Sequence, residues 1–122
     1  TFGGNPLAMR AGVETLRIME EDGLLANAGR VGAALRAGLE RELKGVAGVV
    51  EIRGQGLMLG IELARPCGEL LGRAAQAGLL LSVTADKVVR LVPPLILSED
   101  EAAQIVALLV PLIKAFLAEP AK

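Results

Sequence analysis

A chain of 122 residues (12.6 kDa) makes one folding unit, and 52% hydrophobic against 22% charged residues excludes a disordered one. No His, Trp or Tyr occurs, with only two Phe and one Cys, which excludes His-based triads, His-ligated zinc and aromatic platforms for single-stranded nucleic acid. Thirteen basic against fourteen acidic residues leave a net charge of −1, so no charge footprint points to nucleic acid or anionic lipid.

In chain order, Gly3-Gly4-Asn5-Pro6 predicts a loop entering a helix, with Asn5 as N-cap and Pro6 pre-set at the first helical position. Met9, Val13 and Leu16 recur at helical spacing beside a polar stripe of Arg10, Glu14, Arg17 and Glu21, and Gly23 closes the helix. A second helix is expected from about 24 to 44, with Leu24, Ala28, Val31, Leu35 and Leu39 on one face and Arg36 paired to Glu40. Its glycines, Gly29, Gly32 and Gly38, weaken it unless a close neighbour requires them. A strand over 49–53, an interruption at Gly54-Gln55-Gly56 and a strand over 57–63 predict a hairpin. A short helix is expected from Pro66 to about Ala77, ended by Gly78. Residues 79–83 and 88–92 predict a second strand pair, stopped by Pro93-Pro94. Ser98 and Glu101 form a capping box for a final helix to about Leu117, with a kink expected at Pro111. The order α-α-β-β-α-β-β-α predicts an α+β fold, a small, mostly antiparallel sheet with helices on one face.

The lone Cys67 has no internal disulfide partner, and no signal peptide is visible. The apolar run 102–117 is broken by Gln104, Pro111 and Lys114 and is short for a bilayer span, so a cytoplasmic chain with no membrane partner is expected. The missing initiator Met suggests a piece of a longer protein.

Three motifs could carry chemistry. Thr1-Phe2-Gly3-Gly4-Asn5-Pro6 opens a helix with a hydroxyl and flexible glycines, an arrangement that can cradle phosphate; the ordinary alternative is a loop and N-cap. Arg90, amid apolar neighbours in 88–94, has a planar fork suited to a substrate carboxylate; the alternative is a cross-strand pair with Glu51 or Glu62. Arg53-Gly54-Gln55-Gly56-Leu57-Met58 precedes no helix, so a tight turn or bulge is expected rather than a dinucleotide loop, with Met58 in the core. Lys44, Lys87, Lys114 and Lys122 all read as solvated, so none is a convincing nucleophile, and no metal-ligand cluster or carboxylate dyad appears.

Five segments carry a further signal: 1–8 (TFGGNPLA), 20–25 (EEDGLL), 53–63 (RGQGLMLGIEL), 77–80 (AGLL) and 89–95 (VRLVPPL). As a set they resemble the C-terminal part of a class III (fold-type I) pyridoxal-phosphate aminotransferase, most closely the acetylornithine/ornithine aminotransferases. The resemblance implies that 1–23 is a loop and linking helix from a large domain and that 24–122 is the C-terminal small domain. It implies that Thr1 binds the cofactor phosphate of the neighbouring subunit and that Arg90 holds a carboxylate of the amino-acid or 2-oxo-acid substrate. The Schiff-base Lys and the pyridine-nitrogen Asp of the family lie upstream of TFGGNP, so the segment is expected to be inactive alone, to hold no stable pyridoxal 5'-phosphate and to contain no catalytic residue. The expected partners are the missing large domain and a second subunit in a homodimer. The implied reaction passes the amino group of N-acetylornithine, or an ornithine-like ω-amine, to 2-oxoglutarate in arginine biosynthesis. The alternatives are a related class III enzyme acting on succinylornithine, succinyl-diaminopimelate or 4-aminobutyrate, or a non-catalytic α+β binding module.

Overall fold

The computed structural model describes residues 3–120, so Thr1 and Lys122 lie outside the described residues. Helix α1 (Pro6–Glu21) starts where Asn5 Oδ1 accepts the backbone N–H groups of Leu7 and Ala8, and it ends before Gly23, whose φ of 62° is open to glycine. Helix α2 (Leu24–Leu43) buries Val31, Leu35, Leu39 and Leu43 on one stripe. Strands β1 (Val49–Gln55) and β2 (Met58–Leu63) form the first hairpin. Helix α3 (Leu70–Gln76), strands β3 (Ser82–Thr84) and β4 (Val88–Leu91) and helix α4 (Glu99–Ala118) complete the chain. The sheet is antiparallel throughout, in the order β1-β2-β4-β3. This is the expected α+β order.

The sheet has two unlike faces because side chains alternate along a strand. Leu59, Ile61 and Leu63 of β2 and Val89 and Leu91 of β4 are buried with the apolar faces of α2 and α4. Helix α2 meets β1 and β2, α3 meets β3, and α4 packs on α2 and α3. A bulge between Val49 and Glu51 lets both Val49 and Ile52 pack against the core.

The glycines of α2 divide cleanly. A Cβ on Gly32 would lie 2.1 Å from the carbonyl oxygen of Gly56, so the β1–β2 turn sits directly on the helix there. A Cβ on Gly38 would come within 3.0 Å of Val106 on α4. Gly29 has open space, and nothing in the structure explains it.

Several boundaries differ from expectation. The β1 strand continues through Gly54 and Gln55, leaving only Gly56 and Leu57 in the turn. Gly54 makes this possible: its φ is +150°, and a Cβ would meet the Met58 carbonyl at 2.1 Å. Helix α3 starts at Leu70, not at Pro66, because the Cys67 N–H donates to the Asp86 carbonyl (2.8 Å) and ties this segment to the β3–β4 turn. Strand β3 is only three residues long, since the Leu79 N–H is used in a bond to the Ala74 carbonyl (2.8 Å) at the end of α3. Met58 is exposed on the outer sheet face and is not in the core, because it occupies the same side of β2 as Gly60 and Glu62.

Helix α4 runs through Pro111 without interruption, with the ring at an exposed position. At 20 residues and a mean hydropathy of 1.8 it is long and apolar enough to cross a membrane, which corrects the expectation from 102–117. Its Ala102, Val106, Leu109, Val110, Ile113 and Phe116 are buried in this fold, as in a core helix.

Candidate functional site

The outer face of the sheet carries the polar side chains that the core face cannot. Register places Arg53, Gly60, Arg90 and Ser82 in one row across all four strands. The next row holds Glu51, Glu62, Val88 and Thr84. Gly60, lacking a side chain, leaves a gap between the two arginines, and an open groove of about 360 Å³ runs beside it, lined by Arg53, Met58, Thr84, Val88 and Arg90 among others.

The two arginines of this row have opposite surroundings. One Nη atom of Arg53 donates to Glu62 (2.6 Å) and to Glu51 (2.8 Å), and these pairs hold the guanidinium more firmly protonated than usual, Glu62 contributing most. Glu51 and Glu62 are the sole carboxylates on the described strands. Arg90 therefore has neither of the partners weighed for it. Its Nε donates to the Ser82 hydroxyl (3.0 Å), and among the described residues its two terminal nitrogens bond no protein group. The arginine is exposed, fixed near its base and open at its fork, which suits two parallel N–H···O bonds to a carboxylate.

The groove's rim is the β3–β4 turn, where Ala85 (φ 47°) and Asp86 (φ 59°) both adopt left-handed conformations. Hydrogen bonds at either end hold it: Cys67 N–H to the Asp86 carbonyl, and Leu63 N–H to the Lys87 carbonyl (2.9 Å). Cys67 itself is buried, which pushes its thiol pKa up and leaves it a packing residue.

Thr1 lies outside the described residues, so only Arg90 of the two expected binding residues can be placed. Arg53 and Ser82 were not singled out for this face by the sequence. Strand alternation together with the pairing register would have found them, because both follow from setting Gly60 opposite Arg53 and Arg90.

Lys44, Lys87 and Lys114 are all exposed, whereas a lysine used in covalent chemistry needs desolvation. No group of His, Cys, Asp and Glu among the described residues could hold a metal ion. Among these side chains it is the open Arg90 fork that fits a carboxylate.

A second exposed feature is an apolar stripe on α1. Helix α1 has no buried residue, and Leu7, Met9, Val13 and Leu16 stand in water along it.

Residues 1–113 match the family model described as aminotransferase class-III. Acetylornithine aminotransferase 1 of Bordetella bronchiseptica is 63% identical over 119 residues, 98% of this chain but 30% of that protein. Among solved structures, N-acetylornithine aminotransferase from Stenotrophomonas maltophilia K279a superposes with a TM-score of 0.82 at 38% identity, over 95% of this chain and 33% of that one. Plasmodium falciparum ornithine delta-aminotransferase superposes with a TM-score of 0.91 at 32% identity, over 98% and 32%. The chain thus spans about a third of the length of the proteins it matches.

Proposed function

This chain belongs to the class-III aminotransferase family, and we propose that the complete protein moves the amino group of N-acetylornithine, or an ornithine-like ω-amine, to 2-oxoglutarate in arginine biosynthesis. The chain is its C-terminal small domain, 24–122, preceded by a loop and linking helix, 1–23, from the large domain, and alone it is inactive. The observation that carries the reading is Arg90. Both strand carboxylates go to Arg53, and the Arg90 fork opens on a groove.

In that reading Arg90 orients a substrate carboxylate, and the Ser82 hydroxyl holds the guanidinium plane. Pyridoxal 5'-phosphate, when bound in the complete protein, supplies the electron sink for amino-group transfer. The lysine that carries it would come from the part of the protein preceding Thr1. By family resemblance Thr1 would contact the cofactor phosphate of a neighbouring subunit in a homodimer.

Kinetics of the complete protein test this. Arg90→Ala is expected to raise KM for the 2-oxo acid about a hundredfold, the scale of truncating one member of a hydrogen-bonded charge pair. Cofactor retention should stay unchanged in that variant, while Thr1→Ala weakens it. The reverse pattern would sink both assignments.

The exposed stripe on α1 is the proposed contact with the large domain. The isolated 122-residue chain should therefore self-associate, and a monodisperse monomer at high concentration in light scattering would count against that contact.

A further inference from the structure

We infer that Arg53 is a positioning residue for Arg90: by holding Glu62 and Glu51, it keeps the sheet's carboxylates away from the Arg90 fork. The inference rests on the reading of Arg90 as a carboxylate grip and adds a residue to it.

The register supplies the reason. Arg53 and Arg90 flank the same residue, Gly60, from opposite sides. Glu62 lies two residues further along β2 on the same face, so it is a diagonal neighbour of both arginines. Diagonal neighbours on one face are about 7–8 Å apart, within reach of long side chains. Glycine at position 60 adds no side chain of its own between Glu62 and either fork; only Val88, whose Cγ1 would lie 3.1 Å from a Cβ there, packs over it from the β4 side.

A free carboxylate at Glu62 would be an internal competitor for any ligand carboxylate at Arg90. Arg53 removes it by taking Glu62 at 2.6 Å and Glu51 at 2.8 Å through one nitrogen. Arg53, Glu51 and Glu62 together carry one net negative charge. Without Arg53 the same two carboxylates would carry two, beside the one guanidinium that must accept an anion.

The test uses the complete enzyme with its cofactor and 2-oxoglutarate as the varied substrate. Arg53→Ala is expected to raise KM about fivefold with kcat nearly unchanged, the upper range for an exposed ion pair. The double variant Arg53→Ala with Glu62→Gln should bring KM back toward the unmodified value, because the competitor has gone. Arg53→Lys, which keeps the charge, should stay near the unmodified KM. A KM rise that Glu62→Gln does not reverse means that Arg53 acts through strand packing, and that overturns the inference. An unchanged KM in Arg53→Ala overturns it as well. Arg90→Lys, measured in parallel, separates the two levels: if it raises KM while Arg53→Ala does not, the inference alone fails, and if it leaves KM unmoved, the carboxylate-grip reading fails with it.

Discussion

Helices α1 and α4 are built by the same local rules and end in opposite situations. Each has a side-chain N-cap, Asn5 in one and Ser98 in the other, and each carries an apolar stripe at helical spacing. Yet α4 buries six residues from Ala102 to Phe116, and α1 buries none. Capping and periodicity decide that a segment can be a helix; only a neighbour decides whether its stripe stabilises anything. In this chain α2 and α3 supply that neighbour for α4, while α1 meets α2 and its stripe stays exposed.

The difference can be broken most sharply at the cores of the two helices. Ile113→Ala on α4 should cost about 3–4 kcal/mol in chemical denaturation, the scale of a buried large-to-small change. The same truncation on α1, Leu16→Ala, should cost under about 0.5 kcal/mol in this chain. A comparable loss at both sites would show that α1 belongs to the cooperative core.

Gly32→Ala tests the turn that sits on α2. Its new methyl would overlap the Gly56 carbonyl, so a loss of about 3 kcal/mol is expected, with Gly29→Ala neutral or stabilising as the internal control.

The caps come next. Ser98→Ala should lower global stability by about 1 kcal/mol, because α4 unfolds with the core. Asn5→Ala should reduce helicity in circular dichroism and leave the main thermal transition where it is, because α1 frays alone.

The smallest effect is on pH. Hydrogen bonds from Ser98 hold the Glu101 carboxyl below its ordinary range, and Arg17 does the same for Glu14. A carboxyl lowered by folding contributes fully above its unfolded pKa and loses that contribution as pH falls through the folded one. Acid titration below about pH 4.5 should therefore erode the start of α4 and the middle of α1. Only Glu101→Gln should flatten the acid limb of the global transition, since Glu14 lies on the helix outside the core.

Much of the fold was legible in the residues. Asn5, Ser98 with Glu101, Gly78 and the Arg36–Glu40 pair (2.7 Å) are contacts within a few positions, and each sits as expected. The misses involve contacts far apart in sequence. Met58 reads as core by its chemistry and is exposed by its strand parity. The start of α3 is set by a hydrogen bond from Cys67 to a turn 19 residues later. At the site, Arg90 was a candidate from its apolar setting, but whether Glu62 belonged to it or to Arg53 depended on the pairing of β2 with two different strands.

The amino-acid sequence by itself determined the elements, their caps and their order, because those depend on side chains acting on the backbone three or four residues away. Its motifs also determined the family. The tertiary structure decided which stripe is buried, why Gly32 must be glycine and which of two arginines is left open. Those outcomes follow from register and packing between segments, where a slip of one residue would turn every strand side chain to the opposite face.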